Sequence, residues 1–183
     1  MTNGPGCPRR KSEQGLPTGF TNISTAKEPD LVTLTIVRVK GSDPEVALPE
    51  RATPHSAGLD LRANLEKDNR VDGILLAPGE RRLIPTGLKI DIPHGYEGQI
   101  RPRSGLAFKH GISILNSPGT IDSDYRGEVG ILLINLGQKE FSIGHGDRIA
   151  QLVICKVESV TIVEADTLST TMRNEGGFGS TGS

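Results

Sequence analysis

An all-β fold, whether sandwich, jelly roll or barrel, is what this sequence predicts, and three observations predict it. Glycine (23) and proline (12) are frequent among the 183 residues while aromatics make up only 3%, a mixture suited to short strands and many turns. Apolar runs are short, and each is bounded by Gly, Pro, Asn or Asp. No helical periodicity persists beyond two or three turns. The length suits one domain with a genuine core rather than two of typical size.

Residues 1–30 are polar, broken by Gly and Pro, and without periodicity, so they are expected to form a disordered extension. Glu13, Glu28 and Asp30 argue against the acid-poor composition of a transit peptide. A β domain is expected over 31–167, followed by a flexible arm over 168–183. "LVTLTIVRV" (31–39) alternates and reads as a strand whose core-facing side is undecided. "GLDLRANL", "GILLAPGERRLIPTGLKIDI", "GYEGQIRPR", "GISILN", "GEVGILLINLG", "KEFSIGHGDRIAQLVICKV" and "SVTIVEAD" follow as strand material. "SGLAFKHG" (104–111) suits one short helix, started by Ser104 as N-cap and stopped by Gly111. "VGILLINL" (129–136) is apolar at nearly every position, so both faces need cover: a second subunit, or the interior of a closed sandwich.

Composition removes several function classes. A net charge of −1 gives no footprint for nonspecific nucleic-acid binding. No apolar run approaches the length of a membrane span, so no membrane partner is expected. Cys7 lies in a polar stretch and Cys155 in an apolar run, which suits a reducing, cytoplasmic setting with nuclear or organellar placement left open. Cys155 reads as inert core and Cys7 as an exposed bystander. The histidines, His55, His94, His110 and His145, make no close pair with each other or with a cysteine, so a zinc site is unsupported. Walker-type, nucleophile-elbow and dinucleotide fingerprints are absent from the sequence.

Five segments carry chemistry. "AGLDLRA" (57–63) sets Asp60 opposite the two leucines that flank it; a solvated strand position is the plainer alternative. "RPRSGLA" (101–107) places Arg101, Arg103, Ser104 and Gly105 at a helix start, suited to phosphate oxygens, or else Arg103 pairs with a carboxylate. "NSPGTIDSDYRGE" (116–128) combines a turn with Asp122, Asp124 and Tyr125. Two carboxylates on one side of an extended stretch can hold a metal or a water, or supply a general base; a polar hairpin end is the alternative. In "GDRIAQLV" (146–153) Gln151 interrupts a buried run and needs partners from backbone or ligand. "RNEGGFGSTG" (173–182) joins Arg173 and two hydroxyls, suited to phosphate, with Phe178, suited to a base; a frayed end is the alternative.

In this order and at these intervals the five segments resemble the motifs of the trimeric dUTP pyrophosphatases (dUTPases), over about Leu31 to Gly182. The resemblance implies a jelly roll, or distorted β-barrel, assembled as a homotrimer with active sites at subunit interfaces. It implies hydrolysis of dUTP to dUMP and pyrophosphate with Mg²⁺ on the triphosphate, which keeps uracil out of DNA and supplies the precursor of dTMP. Asp122 would be the catalytic base that activates water, and Asp60 would act on Mg²⁺ through water. Arg103, Ser104, Gly105 and Gln151 would bind phosphate. The hairpin holding Asn116, Gly119, Thr120, Ile121 and Tyr125 would take deoxyuridine. Arg173, Phe178, Gly179, Ser180 and Thr181 would close over the nucleotide from another subunit, with Phe178 on the uracil. The family usually has Gly after the tail arginine, and here Asn174 stands there. Two other readings compete: a dCTP deaminase-like enzyme of the same fold, for which no carboxylate beside C4 of cytosine is apparent, and a nucleotide-gated regulatory binding module.

Overall fold

The computed structural model describes Met1 and residues 31–177; the extension expected over 1–30 and the tail residues Phe178, Gly179, Ser180 and Thr181 fall outside these apart from Met1. Among the described residues, every regular element lies in the unit Val32–Ser183. Strands dominate as expected. β1 (Thr35–Arg38) pairs with β6 (Leu88–Asp91), and β4 (Ile74–Leu76) pairs with β11 (Phe141–Ile143). β5 (Arg81–Pro85), β10 (Gly130–Asn135) and β8 (Ile112–Ile114) form a three-stranded sheet. The largest sheet has the order β2 (Glu50–Arg51), β3 (Leu59–Arg62), β12 (Arg148–Lys156), β7 (Tyr96–Arg101), β9 (Gly119–Ile121). All pairings are antiparallel.

One core joins the four sheets. Alternation sends Leu61 from β3, Ile100 from β7 and Ala150 and Leu152 from β12 to the same side, where they meet Ile84, Ile112, Ile131, Leu133 and Ile143. Side chains such as Leu133 and Ile131 are fully enclosed, each stabilising the fold by about 1.5–3 kcal/mol relative to exposure. Asn135 is also fully buried, and its amide is satisfied throughout: Nδ2 donates to the Leu76 and Lys139 carbonyls, and Oδ1 accepts the Gly137 N–H.

Several expectations need correction. In the first run only Thr35–Arg38 forms a strand, with the Leu34 and Ile36 side toward the core and Val37 exposed. The run over 159–166 is not a strand: Val160 and Ile162 are 80% and 92% exposed, because among the described residues no sheet edge pairs with it and isolated extended backbone has nothing to hydrogen-bond. In β10 the inner face is buried while Leu132 and Ile134 on the outer face are half-covered, with Leu83 on the adjacent strand exposed. The helix forms as α1 (Ser104–His110) and ends on Gly111 at φ 71°, but Arg103 is its N-cap and no side chain caps it, since Ser104 is already helical. Cys155 is half-buried within 4.0 Å of Arg101, not in the core.

The chain before β2 is pinned by a polar cluster. Asp43 pairs with Arg70 (3.3 Å) and with His145 Nε2 (3.2 Å), and its carboxylate also accepts the Glu45 N–H (2.9 Å). His145 Nδ1 accepts the Leu65 N–H, so the ring proton sits on Nε2, facing Asp43. The Glu45 N–H chiefly holds the Asp43 carboxyl below its ordinary value; desolvation opposes this, and His145 and Arg70 reinforce it.

Candidate active site

The large sheet places a polar group opposite its apolar one. Asp60 lies directly across from Gln151, and Gln151 from Arg101. Asp60 is 9% exposed, not solvated. Its Oδ1 accepts from Arg103 Nε and its Oδ2 from Arg148 Nη1, both at 3.1 Å. The carboxylate desolvated between two guanidiniums is thereby fixed in orientation. Arg103 also donates through Nη1 to the Arg148 carbonyl at 3.0 Å, so the pairing considered from sequence coexists with a place at the start of α1. Gln151 donates through Nε2 to the Pro102 carbonyl at 2.9 Å. Gly58 lies so close to Gln151 Oε1 that a side chain there would overlap it. Asp60, Arg103, Ser104, Gly105 and Gln151 therefore belong to one neighbourhood.

A second neighbourhood forms at the other edge. Asn116 folds back toward Gly119, and Gly119, Thr120 and Ile121 form edge strand β9. Asp122 follows at the head of a turn in which the Tyr125 N–H donates to its carbonyl at 3.1 Å. The two aspartates are thus not side by side on extended backbone, and the rule that i and i+2 share a face does not apply to them. Arg126 pairs with Asp91, leaving Asp124 without that partner. The Tyr125 ring folds over Gly127, where any Cβ would collide with it, and its hydroxyl donates to the Glu128 carbonyl at 2.9 Å. Thr120, Ile121, Asp122 and Tyr125 line a cavity of about 460 Å³ with Leu83 and Glu128, a volume in the range of small-molecule pockets.

The chain does not bring these neighbourhoods together. Gly98 pairs with Ile121, so Asp122 stands one residue on, level with Glu97, which pairs with Cys155. From Cys155 to Gln151 is four residues along β12, and β12 lies two strands from β9. The backbones of Asp122 and Gln151 are therefore about 16 Å apart on strand spacing alone.

In the tail, Asn174 takes φ 42° and is held by reciprocal bonds with Thr171, Thr171 N–H to Asn174 Oδ1 (3.1 Å) and Asn174 N–H to Thr171 Oγ1 (3.0 Å). Asparagine thus meets the left-handed geometry that glycine would meet without help. Arg173 donates to the Gly176 carbonyl at 2.8 Å. Arg148 joins the Asp60 neighbourhood from outside the residues expected there; its mark in the sequence is a basic residue beside a turn at the head of a buried strand.

Comparison with known proteins bears on this arrangement. The family model described as dUTPase matches residues 44–182. The chain belongs to the dUTPase family. Among its relatives, the deoxyuridine 5'-triphosphate nucleotidohydrolase of Roseobacter denitrificans is 54% identical over 153 residues, covering 83% of this chain and 97% of that protein. The protein of the same name from Rhizobium meliloti is 55% identical over 149 residues, covering 81% and 91%. Among solved structures, the Staphylococcus bacteriophage 80alpha dUTPase with dUPNHPP superposes with a TM-score of 0.71 at 27% identity, covering 82% of this chain and 99% of that one. No helix among the described residues is long and apolar enough to cross a membrane.

Proposed function

We propose that the protein hydrolyses dUTP to dUMP and pyrophosphate, acting as a dUTP diphosphatase that limits uracil in DNA and supplies dUMP for dTMP synthesis. The observation that carries this reading is the division of the family's residues into two neighbourhoods of complementary chemistry. One holds guanidinium, amide and hydroxyl donors suited to phosphate, and the other holds a carboxylate beside a cavity with an aromatic wall.

Water attack in line with departing pyrophosphate needs reacting atoms within about 3–3.5 Å. Neighbourhoods about 16 Å apart on one sheet cannot meet around one α-phosphorus. Asp122 of one copy would then work with Arg103, Ser104, Gly105 and Gln151 of another, which is what a homotrimer with interfacial sites provides. The half-covered outer face of β10 and the exposed Val160 and Ile162 support such an assembly. Asp122, exposed at its turn, would take the proton of the attacking water. The hairpin from Asn116 to Tyr125 would receive deoxyuridine, with Gly119, Thr120 and Ile121 offering backbone groups and the pinned Tyr125 ring against the sugar. Arg173, Phe178, Gly179, Ser180 and Thr181 would cover the nucleotide, Phe178 on the base.

The residues fit Mg²⁺ only in one manner. Among the described residues no three carboxylate, histidine or cysteine side chains gather as a metal cage, and Asp60 already faces two cations. Its oxygens retain acceptor capacity for a water, so Asp60 would hold Mg²⁺ through water while the triphosphate supplies direct ligands. Bound there, the metal would neutralise charge on the phosphate oxygens.

Pyrophosphate release from dUTP, dTTP, dCTP and UTP with Mg²⁺, measured side by side, tests the reading. Strong preference for dUTP is expected. Ammonia from dCTP without pyrophosphate would instead establish deamination, and dUTP binding without turnover would establish a binding module.

A further inference from the structure

We propose that Arg148 is a second phosphate-binding guanidinium of this site, paired with Arg103 across the Asp60 carboxylate. The proposal rests on the nucleotide triphosphate reading above and extends it to a residue outside the set read from sequence. A break in strand register carries it. Along β12, Gln151 faces Asp60 and Ala150 faces Leu61, so regular alternation would put Ile149 on the polar face and Arg148 in the core. Register shifts between Arg148 and Ala150 instead, so that Arg148 lies opposite Arg62 while Ile149 and Ala150 are both buried. A bulge of this kind re-aims a side chain, and a slip of one residue exchanges faces. Its result here is an arginine turned out beside Asp60.

What Arg148 meets there is a largely buried carboxylate shared with a second arginine. It spends Nη1 on Asp60, which is itself held from the other side by Arg103. The Arg148 side chain remains 45% exposed, and with Arg103 it lines a cavity of about 240 Å³ shared with Leu106, Phe141, Asp147 and Ile149. The Asp147 carboxylate in that cavity accepts the Gly144 N–H at 2.7 Å, which fixes its orientation and keeps its negative charge. Arg62, close by, is committed to Glu50 and to the Gly146 carbonyl. The two guanidiniums balance the Asp60 and Asp147 carboxylates in charge and keep N–H donors unspent, Nη2 of Arg103 and Nε and Nη2 of Arg148, suited to the oxygens of a polyphosphate. A shared carboxylate also makes Asp60 a positioning residue for both arginines, whose forks keep their angle relative to each other.

The test is binding of inorganic tripolyphosphate to the assembled protein, beside steady-state hydrolysis of dUTP. Arg148→Ala should weaken tripolyphosphate and raise KM for dUTP by about tenfold to a hundredfold, as expected for loss of charge-assisted bonds. The melting temperature without ligand should hold, and Arg148→Lys should recover part of the affinity, since it restores charge but not the planar fork. Arg148→Gln keeps a donor for Asp60 without the charge and should lose affinity to a similar degree, which supplies the same reading from a variant that keeps Asp60 paired. Unchanged tripolyphosphate affinity in a folded Ala or Gln variant overturns the proposal, as does failure of Lys to outperform Gln. Wild-type protein that binds tripolyphosphate through Arg148 yet releases no pyrophosphate from dUTP would refute the hydrolysis reading and leave this one standing.

Discussion

Replacing Gly58 by alanine should injure the site while leaving the fold almost untouched. The new Cβ would overlap Gln151 Oε1 and come within 3.1 Å of Gln151 Cβ, so the amide must swing away and β3 must give by a few tenths of an ångström. The displaced amide forfeits its 2.9 Å bond to the Pro102 carbonyl, a loss of about 0.5–1.5 kcal/mol. Gly58 is not among the glycines at positive φ, so alanine regains about 0.4–1 kcal/mol by restricting the unfolded chain. The two nearly cancel, and the melting temperature should move by no more than about 2–4 °C. If Gln151 reaches phosphate, its displacement removes a charge-assisted bond, and kcat/KM for dUTP should fall on the order of tenfold to a hundredfold. Steady-state kinetics and thermal melts on Gly58→Ala, Gln151→Ala and the double variant supply the assay. Because both act through one amide, the double variant should be no worse than Gln151→Ala. Additive losses, or wild-type activity in Gly58→Ala, would refute the reasoning.

Asp122→Asn should abolish turnover and retain dUTP binding by calorimetry, with an unchanged melt, because the side chain is exposed at a turn. Asn135→Ala should cost on the order of 2–4 kcal/mol in denaturant unfolding, since it strips bonds from the buried Leu76 carbonyl, the Lys139 carbonyl and the Gly137 N–H and empties a fully enclosed position. Asp43 has a folded pKa below its ordinary 3.8, so its contribution to stability is complete above that value and is lost as pH falls through the lower folded value. Melting curves of wild type and Asp43→Asn should accordingly differ near neutral pH and converge in strong acid. Val160→Asp with Ile162→Asp should shift sedimentation toward single chains without unfolding the β domain, because both side chains are exposed in this chain and pack on nothing in it.

Strands were legible where alternation and a partner edge coincide, as in β3, β7 and β12. The run over 159–166 has strand composition, yet no strand forms there, because composition reports a capacity for pairing and not the presence of an edge. The Asp122 turn was misread for a related reason: "IDSDY" fits extended backbone as well as it fits a turn, and the bond from the Tyr125 N–H to the Asp122 carbonyl decides between them. Asp60 looked ambiguous because its partners, Arg103 and Arg148, are 43 and 88 residues away. Arg148 was hidden because alternation counted back from Gln151 turns it into the core, and only the bulge at 148–150 turns it out. Asn174 stood out as a departure from the family's glycine, and the φ of 42° it adopts is one that asparagine tolerates.

The wide spacing of Asp122 from Gln151 on one sheet has a genetic reading. If each catalytic centre borrows its base from one copy and its phosphate grip from another, defects in the two are complementable within a single assembly. Subunits carrying Asp122→Asn and subunits carrying Arg103→Ala, each inert alone, would on random mixing restore about one quarter of the centres, each drawing only on the intact part of either parent. Two dead alleles expressed together would then behave as one weakened gene.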